Sequence, residues 1–483
     1  MHSCRNQHSH ITDSGFYSHG YTTREAKAVY CDLRRLQRWL DVEAALATAQ
    51  AELGLIPSEA GRRLAATAHL ELLDHQAIKQ GIAVTGHSLI PLLDEWQKVA
   101  GPQAAIYCHY GATTQDIQDT AQSLELRDII AIIERDLSRI IELLANLAGE
   151  HKTQVIIGRT HGQHALPTTL GLKFAIWLDE LLRHAQRLTE CRGRLLVSQL
   201  FGGVGTMAAL GKSPQQLLEK FSAILGLTAP ATAWHTARDR GTEFVADLAM
   251  LTGTMAKIAN EICQLAKDET GELEEPFHMG KIGSTTMPHK RNPEMCEQVV
   301  VLARLVKACS GICLDGLINE HERDYRAVRL EWVGITDAGM YSCGALNLLI
   351  SILEGLIVHP ERIHQNLESS ACLISTEALM FLFGEKIGKP AAHNLLYQAA
   401  MEARSSGRTL SELITAHPLI SGKFSAESIR EAVDPASHTG MAEKMTSQVI
   451  ESARHWLEEN RDTERANPLE CPLGNHPSGC LLL

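Results

Sequence analysis

Residues 283–294 run Gly283-Ser284-Thr285-Thr286-Met287-Pro288-His289-Lys290-Arg291-Asn292-Pro293-Glu294. The small residues at the start permit tight turns and expose hydroxyls, while Lys290, Arg291 and Asn292 bring two cations and an amide before Pro293 closes the segment. Two readings stand side by side: a loop that grasps an anion, and an ordinary basic surface turn ahead of a helix. Position favours the first. Residues 242–268 before the stretch and 294–317 after it carry long helical patterns, and a polar loop held between rigid helices is well placed for chemistry.

Outward from this loop the chain reads as helical. Its 483 residues suffice for two or three domains, and a composition 45% hydrophobic but only 5% aromatic suits helices better than sheets. No segment reads convincingly as a strand, so the expectation is an all-α fold. It would have an N-terminal helical domain (1–110), a central long-helix bundle (111–358), a C-terminal helical domain (359–460) and a tail (461–483). Residues 23–55 read as one amphipathic helix, and residues 1–24 as partly disordered. Helices this long need partners along their whole length, so an oligomer is expected.

The formal charge of −12 argues against a nucleic-acid surface but leaves room for a local cationic pocket. The twelve cysteines contain no C-x-x-C pair and suit a reducing compartment. There is no secretory h-region and no apolar run of membrane-spanning length, so a cytoplasmic protein without stable membrane association is expected. Cys480-Leu481-Leu482-Leu483 matches a prenylation pattern, but no polybasic run precedes it and a chance match is the simpler reading.

Two further segments carry chemistry. Thr113, Thr114, Gln115 and Asp116 head a long helix, where hydroxyls and free N–H groups form an anion-binding corner or simply a cap. Residues 158–171, G-R-T-H-G-Q-H-A-L-P-T-T-L-G, place His161, Gln163 and His164 between helical stretches, with Pro167 suited to the entry of the next helix. His161 and His164 would share a helical face, but no carboxylate or cysteine completes a metal set, and acid–base chemistry fits better. His87, in G-H-S-L-I-P, either caps a helix or serves the site. The glycines of residues 199–211 lack the strand and the G-K-[ST] ending of a nucleotide loop. Arg323, Arg326 and Arg329 alternate with Glu320, Glu322 and Glu331 at helical spacing, a pattern that a solvated, salt-bridged face also gives.

The three motifs in this order resemble the fumarase/aspartase superfamily, whose members cleave or form a C–N or C–O bond beside a carboxylate. The P-H-K-R-N-P run is most similar to the adenylosuccinate lyase and carboxymuconate cycloisomerase branches, and the resemblance covers roughly residues 23–442. It implies a three-domain fumarase/aspartase-like fold, a homotetramer whose sites are shared between subunits, and no metal or cofactor. It also implies Ser284 as base and His161 as general acid or its immediate partner. Thr113 and Thr114 would hold a substrate carboxylate, and Gln115, Gln163, Lys290, Asn292, His87 and Arg323 would line the pocket. One departure is informative. Where adenylosuccinate lyases carry a serine and an arginine for the nucleotide phosphate, this chain has Val328 and Trp332, and its H-E-R-D and E-W are similar to the cycloisomerase branch. A small polycarboxylate is therefore the expected substrate, handled by a cycloisomerase or a sister lyase. Adenylosuccinate is the alternative, and a silent structural oligomer a third.

Overall fold

In the computed structural model residues 10–460 are described; the expected tail and the Cys480–Leu483 pattern lie outside them. Two 3₁₀ turns, Ile11–Asp13 and Ser18–Gly20, lead in, so residues 10–24 are folded where partial disorder was expected. The single helix expected over 23–55 is two, α1 (Arg24–Tyr30) and α2 (Asp32–Glu52), because Cys31 adopts an extended conformation between them. Then follow α3 (Ser58–Thr67), α4 (His75–Thr85), α5 (Ile90–Ala100) and α6 (Pro102–Ala105).

The bundle is made by α7 (Thr114–Glu150), α8 (Leu170–Leu195), α10 (Asp239–Leu265), α11 (Glu294–Asp315) and α12 (Tyr325–Glu354), with α9 (Pro214–Leu225) set to one side against α2. Apolar side chains such as Ile133, Leu137, Phe174, Leu178, Leu248, Met255, Val299 and Leu346 form its shared core. A second core joins α2 and α5 to the head of α7 through Leu40, Trp96, Ile117, Leu200 and Phe221. Helices α13 (Pro360–Ile374), α14 (Thr376–Ile387), α15 (Lys389–Ser406), α16 (Leu410–Ala416) and α17 (Ala426–Val433) surround a third, centred on Phe383. The last helix, α18 (Ala442–Glu459), returns to the bundle against α7 and α8.

The expectation of no sheet needs correction. Residues 155–169 form an antiparallel hairpin, β1 (Val155–Thr160) and β2 (Gln163–Thr169), and a second short pair joins β3 (Leu273–Glu274) to β4 (Ile357–Val358). The β-branched run Val155-Ile156-Ile157 favours the strand. His161 (φ 53°) and Gly162 (φ 75°) make the two-residue turn, both in the left-handed conformation that matches strand twist. Pro167 consequently lies in β2, and Thr169 starts α8 by accepting from Leu172 N–H.

Two stretches have the length and apolarity of a membrane span, Tyr325–Glu354 and Pro360–Ile387, where the sequence had shown none. The first is α12, packed against α10 and α11 within the bundle; the second is broken at Ser375 into α13 and α14.

Candidate active site

The carboxylate of Asp116 organises the head of α7. It is fully buried and accepts from Thr113 N–H (3.0 Å), Phe201 N–H (3.0 Å), Gly202 N–H (2.9 Å) and His235 Nε2 (2.9 Å). The glycine-rich segment thus offers its backbone N–H groups to a carboxylate inside the protein. Beneath lies a second buried network. Arg238 donates to Asp119 at 2.9 and 3.1 Å and also pairs with Glu331, while Gln115 Nε2 donates to Asp119 (3.0 Å) and to the His235 carbonyl (3.0 Å). Burial opposes charge on Arg238, but the two carboxylates outweigh it and raise its pKa; burial likewise raises that of Glu331. Gln115 has both amide hydrogens committed inward.

Above this floor opens a cavity of about 740 Å³ bordered by His87, Ser88, Thr113, Thr114, Gln115, Arg323, Tyr325 and Val328. Arg323 donates to Thr113 Oγ1 at 2.6 Å. His87 caps the start of α5, its Nδ1 accepting from Leu89 and Ile90 N–H, and its Nε2 lies 3.5 Å from Thr114 Oγ1 at the cavity. Gln118 and Ser88, joined at 2.7 Å, complete the wall and were missed from the sequence.

His161 and Gln163 stand exposed at the tip of the β1–β2 hairpin, and His164, in β2, is bonded through Nδ1 to Ser370 Oγ (2.8 Å). In a hairpin rather than a helix, the two histidines do not share a helical face. Burial and the neighbouring Arg159 charge lower the His164 pKa. Arg159 in turn makes a double ion pair with buried Glu272, at 2.9 and 2.6 Å.

The Ser284 loop starts from the same acidic segment, Glu272-Leu273-Glu274-Glu275. Glu275 accepts from Lys281 Nζ (2.7 Å), Met295 N–H (3.3 Å) and Cys296 N–H (3.0 Å), so one carboxylate holds both ends of the loop. Glu274 pairs with Arg291 (3.0 Å). Within the loop, Asn292 Nδ2 donates to the Gly283 carbonyl (2.6 Å), and Ser284 Oγ accepts from Thr286 N–H (3.4 Å) and Met287 N–H (3.1 Å). A Cβ on Gly283 would lie 2.2 Å from the Lys290 carbonyl oxygen, so only glycine fits there. Lys290 itself is exposed, as is Met279 at 99%.

The hairpin and the Ser284 loop share one end of the bundle, and the Thr113 segment does not meet them within one chain. The 37 residues of α7 span about 55 Å at 1.5 Å per residue, with Thr113 at one end and the base of the hairpin at the other. Likewise the 30 residues of α12 separate Arg323 from the β3–β4 anchor of the Ser284 loop by about 45 Å.

A family model described as lyase matches residues 18–307, and one described as adenylosuccinate lyase C-terminus matches residues 372–449. The N-acetyl-S-(2-succino)cysteine lyase of Dickeya dadantii is 38% identical over 445 residues, 92% of this chain and 98% of that protein. The chain belongs to the fumarase/aspartase superfamily. Within the superfamily it is similar to more than one branch. The adenylosuccinate lyase of Methanothermobacter thermautotrophicus is 38% identical, over 90% of this chain and 98% of that one. The 3-carboxy-cis,cis-muconate lactonizing enzyme of Pseudomonas putida superposes with a TM-score of 0.86 at 35% identity, over 92% of this chain and all of that one. Membership makes this an enzyme of lyase type; similar identity to different branches leaves the substrate to the chemistry of the cavity.

Proposed function

We propose that this enzyme catalyses addition and elimination beside a carboxylate on a small polycarboxylate, and that it releases fumarate from a succinyl thioether of an N-acylated cysteine. The observation that carries the small-substrate reading is the cavity wall itself. Tyr325 and Val328 border it, and Trp332 stacks on Trp39, ring centroids 6.2 Å apart. A phosphate beside Val328 would meet an aliphatic side chain. The full-length similarity to N-acetyl-S-(2-succino)cysteine lyases supports the thioether. The second reading is cyclisation of a carboxymuconate, favoured by the likeness to the lactonizing enzyme.

Ser284 removes the proton from the carbon beside the carboxylate. Its two backbone donors favour the deprotonated oxygen, and closure of the loop around substrate strips water from it. Thr113, Thr114 and Arg323 hold a succinyl carboxylate. Lys290 and Asn292 stabilise the enediolate-like charge that builds as the proton leaves. The C–S bond then breaks, the electron pair leaves with sulfur, and His161 returns a proton to the thiolate. Because the Thr113 segment lies tens of ångströms along the bundle from the hairpin and the Ser284 loop in one chain, the working site is assembled between copies, in a homotetramer.

Incubating the protein with N-acetyl-S-(2-succino)cysteine, carboxymuconate and adenylosuccinate tests this. Fumarate and thiol from the first compound alone support the thioether reading. Loss of diene absorbance with the second alone transfers the proposal to cyclisation, and AMP from the third refutes both. S284A is expected to lose roughly 10² to 10⁴ in turnover; near-normal turnover would disprove the assignment of the base.

A further inference from the structure

The arginines that the sequence groups into one charged face do different things. Arg326 faces outward and pairs with Asp324 and, at 3.0 Å, with Glu320. Arg323 bonds to Thr113 across the cavity mouth. Glu331, which that face would have exposed, is instead buried with Arg238. Arg329 is unlike its neighbours. Its guanidinium carbon lies 4.5 Å from the Tyr325 ring centroid and 4.4 Å from that of Trp332. Among the described residues it forms no ion pair.

Arg329 is partly buried, and no carboxylate answers its charge among the described residues. The two rings fix the plane of the guanidinium and remove part of its water, and burial alone lowers its pKa, with no carboxylate acting the other way. Arginine does not shed its proton under ordinary conditions, so the charge persists with fixed orientation. Arg329 is linked to the cavity through Tyr325. It follows Val328 directly and stands one helical turn from Tyr325, both cavity-lining residues, and it stacks on the Tyr325 ring.

We propose that Arg329 is a second anion subsite, which receives the carboxylate on the departing fragment of the substrate while Thr113 and Arg323 receive a carboxylate of the succinyl group. The assignment rests on the thioether reading above. It makes Arg329 the residue that selects substrates whose leaving group is itself an acid, and the bidentate fork of arginine suits a carboxylate.

The test uses two succinyl thioethers that differ in one group: N-acetyl-S-(2-succino)cysteine, and its cysteamine analogue, which lacks the leaving-group carboxylate. The variant R329M keeps an aliphatic stem over the rings and removes the charge; R329K restores a charge without the fork. For R329M, kcat/KM on the cysteine substrate should fall about 10- to 100-fold, the range of one charged hydrogen bond. The loss should appear mainly in KM, with the cysteamine analogue unchanged and R329K intermediate. Near-UV circular dichroism checks that the Trp332 environment persists in the variants. Equal losses on both substrates, or no loss on either, would overturn the subsite. Wild-type enzyme inactive on both thioethers yet active on carboxymuconate would overturn the reading beneath it, an outcome separable from the first two.

Discussion

Replacing Glu275 with glutamine tests whether one carboxylate sets the position of the Ser284 loop. Glu275 is 3% exposed and accepts from Lys281 at the loop's entrance and from Met295 and Cys296 N–H at its exit. Glutamine keeps the shape and one acceptor oxygen but loses the charge, so at least one charge-assisted bond goes, worth about 2 kcal/mol. If that bond holds the loop closed onto its anchor, the open population rises about 30-fold. The loop provides its own reporter, because trypsin cleaves after Lys281, Lys290 and Arg291. Where reclosing is faster than cleavage, the nicking rate follows the open population. E275Q should therefore be nicked tens of times faster than wild type at unchanged global stability, with kcat/KM reduced and the rate recovered in part at high substrate. An unchanged nicking rate would refute the reasoning, because the loop's position would then owe nothing to Glu275.

Two predictions concern the buried framework. R238M leaves Asp119 and Glu331 as uncompensated carboxylates inside the protein, and should cost about 3–5 kcal/mol in chemical denaturation; a loss under about 1 kcal/mol would show that the network is not electrostatically held. His184 bonds through Nε2 to Thr254 Oγ1 (2.8 Å) and accepts at Nδ1 from Arg187 (3.2 Å), and burial lowers its pKa to about 4. Between the ordinary histidine value near 6.5 and about 4 the unfolded chain binds a proton that the folded chain refuses. Its contribution is complete above pH 6.5 and is lost as pH falls towards 4, so H184Q should flatten the decline of denaturation midpoint across that window; an unchanged decline would assign it to other groups.

The helical class and the three polar segments were legible in the sequence because each rests on local signals. Long 3.6-residue periodicity marked α7, α8, α10 and α11, and the Thr113–Asp116 spacing marked the head of α7. The hairpin was missed because the segment was read as a connection between two helices with Pro167 at the entry of the second, while the useful signal, three β-branched residues followed by His161-Gly162, was given too little weight. The buried networks had no local signal. Asp116 meets His235, and Arg238 meets Asp119 and Glu331, across separations of 119, 119 and 93 residues, and only the packed chain brings them together. The same holds for Arg329, whose spacing suited a solvated face and whose partners turned out to be rings.

The length of α7 has a consequence beyond packing. On the proposed assembly, in which the Thr113 end of one copy meets the hairpin of another, helix length becomes a catalytic dimension. An insertion of four residues within α7 would add about 6 Å and a little over one turn. It would leave every polar side chain of the site unaltered, yet shift acid and cradle out of reach of a substrate only a few bonds long. On that proposal, reaction geometry is encoded in a residue count as firmly as in the residues themselves.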